Sequence, residues 1–215
     1  MARLTLRETV GGTKGHLEGL NQLSGVGVVY VEEDTGSIKV GDGYNRYLDL
    51  VNSTNSNNLF FVDYNDTATA ATPITLLQDT WTTLTNDGLG TSTNTSQLPS
   101  NLTSMLAPSG GIDISMLKVG SDIMIRPDFT VTPTSNNSAL YIRLSLGAGA
   151  NAYTLESSLG RLDLGAGIPY REALHAIYAY AGDDNTTNNP IDIQIKLSGG
   201  GIVVNSGMAI KVYSK

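Results

Sequence analysis

The 215-residue sequence contains no cysteine, which excludes disulfide bonds and thiolate metal ligands. It also lacks a run of roughly 20 apolar residues, which a membrane-spanning helix requires. Residues 1–8 lack the apolar stretch of a secretory signal. We therefore expect a protein with no membrane partner that is made and assembled in a cytoplasm and stabilised by packing.

Clusters of positive charge are also absent. The chain carries 13 Lys and Arg against 20 Asp and Glu, a formal net charge of −7, and its basic residues are scattered. A surface that follows a phosphate backbone needs grouped Lys and Arg side chains. The sequence therefore predicts no nucleic-acid partner.

Residues for catalysis are sparse. The two histidines, His16 and His175, are too few for a zinc site, and no Gly-x-Ser-x-Gly elbow occurs. The acidic run Asp183, Asp184, Asn185 fits either a Ca²⁺ site or a solvated hairpin loop, and we favour the loop. We predict no enzyme, no metal and no cofactor; a polysaccharide hydrolase with two facing carboxylates is a third hypothesis.

Thr, Ser, Asn and Gly dominate the sequence, and long helical patterns are missing. These residues favour strands and turns. Near the N-terminus, residues 25–31 read as a strand, Asp34 and Gly36 supply turn chemistry, and residues 37–40 return as a second strand. The pattern predicts a β-hairpin in an all-β protein.

The sequence of the predicted hairpin resembles a known class of modules. Its pattern of Val29-Tyr-Val31, Asp34-Thr-Gly36 and Ile38-Lys-Val-Gly-Asp-Gly43 resembles the N-terminal modules of tailed-phage fibres and head-decoration proteins. The resemblance implies a segment that docks the protein on the virus particle. We therefore interpret residues 1–50 as an attachment arm or hairpin module, with expected capsid-binding contacts at Leu4, Leu6, Val26, Val28 and Tyr30.

A polar run at 52–58 predicts a linker over residues 51–58. Residues 59–215 then read as short strands separated by turns, with a long loop at 86–111. Two strands alternate strictly: 140–146 and 191–197 place Leu and Ile on one face and polar residues on the other. We expect a jelly-roll-like antiparallel β-sandwich. Further strands are expected at 59–64, 80–85, 122–126, 129–132, 202–204 and 208–213, with Pro127 at a bulge or sheet edge.

Residues 171–180 fit either a helix or a strand, and we favour the strand because its neighbours are strands. As a strand, its two faces are both largely apolar, so one face is expected to meet the core and the other a sister subunit. The predicted trimer interface comprises His175, Ile177, Tyr178, Tyr180 and Tyr213. The ending Ile210-Lys-Val-Tyr213 is similar to the last strand of trimeric jelly-roll knobs.

These features together predict a phage virion structural protein, a homotrimer that cements the capsid surface by bridging subunits of the major capsid protein. The alternative is a fibre tip that recognises a cell-surface glycan through loops 86–111 and 183–190. Exposed aromatic rings stack on sugars, and the candidates for that role are Trp81, Tyr153, Tyr178 and Tyr180.

Overall fold

The computed structural model describes residues 8–12, 28–32, 38–40, 59–99 and 102–214. The chain divides into two compact units, residues 1–58 and 59–215. In the first unit, β2 (Val28–Glu32) pairs antiparallel with β3 (Ile38–Val40), which confirms the predicted hairpin. A further strand, β1 (Glu8–Gly12), runs parallel to β2 and was not predicted.

The second unit consists of strands with two single-turn α-helices and a 3-10 helix at Gly149–Asn151. The all-β prediction is therefore confirmed. Within the described ranges, no helix is long and apolar enough to cross a membrane. In chain order, the elements are β4 (Leu59–Asn65), α1 (Ala68–Ala71), β5 (Ile74–Leu76), β6 (Thr82–Thr83), β7 (Asp122–Pro133), β8 (Ser138–Leu146), β9 (Tyr153–Leu162), β10 (Tyr170–Glu172), β11 (Ile177–Tyr180), α2 (Asp184–Thr187), β12 (Asp192–Leu197) and β13 (Gly201–Tyr213).

These strands form two antiparallel sheets. The six-stranded sheet has the order β10-β7-β13-β4, with β11 also paired to β7 and β5 also paired to β13. The four-stranded sheet has the order β6-β12-β8-β9. The core contains residues of both sheets, as in a β-sandwich.

Strict alternation in β8 and β12 builds one side of this core, as predicted. The five inward residues of β8, Ser138 and four aliphatic residues, are at most 3% exposed, and polar residues such as Arg143 face outward. The same pattern holds from Ile191 through β12. The inward aliphatic residues are Leu140, Ile142, Leu144, Leu146, Ile191, Ile193, Ile195 and Leu197. Burying each such side chain contributes about 1.5–3 kcal/mol, so these two strands anchor the four-stranded sheet.

Pro127 does not divide the strand in which it lies. β7 runs unbroken through it and pairs with β13 along its length, across a β-bulge between Asn205 and Gly207. On its other side, β7 pairs with β10 at 129–131 and with β11 at 122–125. Residues 126–128, which include Pro127, have no strand partner on that side. A residue without an N–H fits such a gap. The interruption therefore lies between β10 and β11, the two short strands beside β7, and not in β7 itself.

The structure corrects four further expectations. Residues 171–180 contain strands rather than a helix, as predicted, but not one continuous strand: β10 and β11 are separated by residues 173–176, opposite Pro127. The predicted strand at 80–85 shortens to β6. The two final strands are one, β13, because β7 offers it a continuous partner. The loop at 183–190 contains the helical turn α2.

We predict that Ile142→Ala lowers the free energy of unfolding by about 2–5 kcal/mol, because Ile142 is fully buried between the sheets and its truncation leaves a cavity. Urea unfolding followed by circular dichroism measures this change. Ser145→Ala on the outward face of the same strand is the matched control, expected within about 0.5 kcal/mol of the parent. Equal losses for the two variants would contradict the described facing of β8.

Candidate functional site

The outward face at one end of the six-stranded sheet is rich in exposed aromatic and aliphatic side chains. Cross-strand register forms two rows there: the first joins Tyr180, Asp122, Tyr213 and Leu59, and the second joins Tyr178, Met124, Lys211 and Phe61. We call the apolar members of these rows the tyrosine face. They are Tyr178, Tyr180, Tyr213, Met124, Leu59 and Phe61.

Exposure on the tyrosine face is high. Tyr178 is 71% exposed, Tyr180 55% and Tyr213 49%. A groove of about 640 Å³ is lined by Tyr178, Tyr180, Tyr213 and Met124 of this face, together with Tyr153 and Leu155 at the start of β9. The hydroxyl of Tyr153 donates a hydrogen bond to the backbone oxygen of Tyr180, at 3.4 Å. The groove is therefore built by strands from both sheets.

Strand β9 itself is the edge of the four-stranded sheet. Leu155 and Tyr153 are paired with Leu144 and Leu146 of β8, both fully buried, yet they are 36% and 39% exposed. Alternation places paired residues on the same side of a sheet, so these two side chains lie on the interior side of the four-stranded sheet, although each is more than a third exposed. The sandwich is open at this corner.

The structure brings together three of the five predicted trimer-interface residues. Tyr178, Tyr180 and Tyr213 share the tyrosine face. Ile177 lies on the opposite side of β11, half-buried against the core. His175 is half-buried in the gap between β10 and β11, where its backbone N–H donates to Glu172 Oε1 at 3.1 Å.

The structure describes two of the five predicted capsid-binding residues, Val28 and Tyr30. Leu4, Leu6 and Val26 lie outside the described residues. Val28 is half-buried in β2, and Tyr30 of the same strand is 6% exposed. The ring of Tyr30 is therefore mostly covered by the chain's own residues.

The long loop predicted at 86–111 lines a second, more polar groove of about 740 Å³, together with Tyr64, Asp66 and Ala68. The loop has no strand of its own in its described part, only bridges such as that of Asn94 with Asp63. The other predicted recognition loop, 183–190, does not line this groove. The residues that directly follow the two loops, Ile112 and Ile191, form a β-bridge.

Two carboxylates in the polar groove are occupied by the fold. Asp66 is buried and accepts hydrogen bonds from the hydroxyl and N–H of Thr69 and from the N–H of Asp87. Asp87 accepts four, from the hydroxyl and N–H of Thr67 and from the N–H groups of Ala68 and Leu89. We call this pair the aspartate clasp, because it ties loop 86–89 to the segment after β4.

The hydrogen bonds of the aspartate clasp extend through Thr69 to the bulge in β13. The hydroxyl oxygen of Thr69 accepts a hydrogen bond from the N–H of Asn205 at 2.8 Å, while its single proton is donated to Asp66 Oδ2 at 2.6 Å. Gly207 then adopts a φ of 147°, and a Cβ there would meet the Tyr64 carbonyl oxygen at 2.2 Å. The bulge therefore requires glycine at this position.

The acidic run at 183–185 has a structural role too. Asp183 caps α2, and its Oδ1 accepts hydrogen bonds from the N–H and hydroxyl of Thr186, at 2.8 and 2.7 Å. These bonds lower the pKa of the Asp183 carboxyl. Asn185 ties α2 to the β8–β9 turn by bonds with Ala148 and Asn151. Across the described ranges, no group of three or more His, Cys, Asp or Glu could hold a metal ion.

The sequence did not predict the residues that lie beside the tyrosines. Met124, Lys211 and Leu155 line the groove but belong to strands far apart in the sequence. The alternation of each strand shows which residues face outward. The pairing of β7 with both β11 and β13, which sets the rows, has no local signal.

Comparison with known proteins finds no matching family model and no match among curated proteins. Among solved structures, the chain is similar to one in the structure of infectious bursal disease virus, Gt strain, at 12% identity and a TM-score of 0.33. The alignment covers 80% of this chain and 35% of that one, so the protein spans about a third of that chain's length. A likeness at this level carries no argument about function.

We predict that the aspartate clasp makes stability depend on acid. Partial burial acts to raise the pKa of Asp87, but the hydrogen bonds it accepts outweigh burial and lower the pKa from 3.8 to about 2. A carboxyl with a lowered folded-state pKa contributes stability that is fully present above its unfolded pKa. This stability is lost as the pH falls from about 4 to about 2.

The midpoint of urea unfolding, measured between pH 2 and pH 6, tests this prediction. Asp87→Asn is expected to lower the midpoint at pH 6 and to flatten its fall below about pH 4. Asp163→Asn is the control and should keep the acid profile of the parent. Asp163 pairs with Arg161 where both side chains are 63% exposed, and such a pair contributes little to stability. A parent-like acid profile for Asp87→Asn would contradict the clasp.

Proposed function

We propose that this chain is a structural, non-catalytic protein of a virus particle, which decorates the capsid of a tailed phage as a homotrimer. The observation that carries the proposal is the uncovered tyrosine face. The resemblance of the N-terminal hairpin to phage attachment modules supports the location on a virion. The all-β sandwich provides a rigid body for such a role.

The tyrosine face supports self-association for two reasons. Contiguous exposed apolar patches are uncommon on monomeric soluble proteins, and tyrosine is enriched in protein interfaces. The same face also carries one residue of each charge, because Asp122 and Lys211 line its groove. Each copy can therefore offer a cation and a carboxylate to the next, which makes a second copy of this chain a complementary partner.

The first unit would attach each subunit to the shell. In this proposal, Leu4, Leu6, Val26 and Val28 contact the major capsid protein, by strand addition and apolar packing. Tyr30 is largely buried, so it contributes to the packing of the first unit and not to the capsid contact. Three linked copies bind together more tightly than one, so each contact with the lattice can stay weak.

We predict that Tyr178→Ser combined with Tyr180→Ser converts the trimer to monomer, because it removes two exposed aromatic anchors from the subunit interface. Light scattering coupled to size-exclusion chromatography gives the mass. Leu77→Ser is the control: Leu77 is 64% exposed and follows β5, on the opposite side of β13 from β7. A monomeric mass for the unmodified chain at micromolar concentration would contradict the trimer.

Co-sedimentation with empty phage capsids tests the decoration role. We expect the full chain to sediment with capsids and a variant that begins at Leu59 to remain in solution, because the attachment residues are then absent. Circular dichroism of the shortened variant confirms that the second unit is folded. Failure of the full chain to bind capsids would overturn the decoration role.

The second candidate function is a receptor-binding fibre tip. The polar groove of loop 86–111 favours it, because hydroxyl and amide side chains line about 740 Å³ there. Selective glycan binding by the purified protein, without binding to capsids, would favour the fibre tip over capsid decoration.

A further inference from the structure

The outward face of the four-stranded sheet carries a compact group of aromatic and charged side chains. In the central strands, Arg143 of β8 is paired with Gln194 of β12, and Tyr141 is paired with Lys196. Trp81 directly precedes β6, the strand beside β12. This face belongs to the four-stranded sheet and the tyrosine face to the six-stranded sheet, so a ligand site here is independent of the proposed trimer.

Two cations share the indole of Trp81. Arg143 Cζ lies 4.3 Å and Lys196 Nζ 4.6 Å from the centroid of the Trp81 ring. Lys196 Nζ also lies 4.7 Å from the centroid of Tyr141. Each cation–π contact is attractive, but two like charges held on one ring repel each other.

The neighbouring groups leave this positive charge partly uncompensated. Arg143 donates from Nε to Gln194 Oε1 at 2.7 Å, but no described residue accepts a hydrogen bond from its Nη atoms or forms an ion pair with it. Lys196 lies 3.9 Å from the Glu156 carboxylate, which is 44% exposed. The group of Arg143, Lys196 and Glu156 thus carries a charge of about +1 in a chain whose net charge is −7.

The chemistry of this face fits a particular ligand. A guanidinium with free Nη atoms binds a carboxylate through two parallel hydrogen bonds. Aromatic rings contact the apolar faces of sugars, and amide and hydroxyl side chains such as Gln194 and Ser158 can bind sugar hydroxyls. We propose that this face binds a sugar acid, a pyranose carrying a carboxylate. Arg143 and Lys196 hold the carboxylate beside the rings of Trp81 and Tyr141, and Gln194 and Ser158 bind the sugar hydroxyls.

Trp81 is the only tryptophan in the sequence, so the intrinsic fluorescence of the full chain reports on this face directly. The probes are glucuronic acid and N-acetylneuraminic acid, with glucose and acetate as the neutral and ring-free controls. We expect a saturable fluorescence change with at least one sugar acid. Its affinity should exceed that for glucose and for acetate by at least about tenfold, the value of one charge-assisted hydrogen bond.

Variants separate the carboxylate contact from a change in the fold. Arg143→Gln is expected to weaken binding by at least about tenfold, measured by calorimetry because the substitution also alters Trp81 fluorescence. Arg161→Gln is the matched control: Arg161 is an exposed cation on β9 whose partner is Asp163, and its loss should leave binding unchanged. Thermal unfolding midpoints confirm that both variants fold.

Three results would overturn the proposal: no binding of either sugar acid, acetate binding as tightly as the sugar acids, or glucose doing so. An unchanged affinity in Arg143→Gln would also overturn it. None of these results bears on self-association through the tyrosine face. Conversely, a monomeric chain that still binds a sugar acid would refute the trimer and keep this site.

Discussion

Face-to-face packing of two rows of aliphatic side chains is the interaction on which the second unit depends. The inward residues of β8 and β12 meet those of β7 and β13, among them Ile125 and Ile210, both fully buried. Because strand residues alternate between faces, closing this core fixes which residues face outward. The two outward faces are consequences of the core, and their composition sets what the protein can contact.

Those faces differ in chemistry. The six-stranded sheet presents tyrosines and aliphatic residues, with Asp122 and Lys211 as its nearby charges. The four-stranded sheet presents two cations on one indole ring. An apolar aromatic surface favours association with another protein surface, whereas a guanidinium whose Nη atoms bond to no described residue favours a small anionic ligand. One sandwich can therefore assemble through one face and recognise a ligand with the other.

Local sequence patterns predicted part of this structure. The alternation at 140–146 and 191–197 identified the core rows, because each strand has one buried face and one polar face. Alternation within 177–180 also places Tyr178 and Tyr180 on one face, as the structure shows. The hairpin of β2 and β3 followed from Asp34 and Gly36 between two β-branched segments.

The rest depends on contacts between distant segments. The break between β10 and β11 arises opposite Pro127, more than 40 residues earlier in the chain. The meeting of Trp81 with Arg143 and Lys196 requires the order β6-β12-β8, for which no local pattern exists. The aspartate clasp likewise joins Asp66 to Asp87 through a backbone N–H, a bond that side-chain identity does not reveal.

Nitration of tyrosine side chains, followed by mass spectrometry of the full chain at two protein concentrations, tests most directly whether the tyrosine face is covered by sister subunits. The proposal predicts that Tyr178, Tyr180 and Tyr213 are protected in concentrated protein and become nitrated on dilution. Tyr64, which is 3% exposed, should resist nitration in both samples. Full nitration of Tyr178 and Tyr180 at both concentrations would contradict self-association through this face.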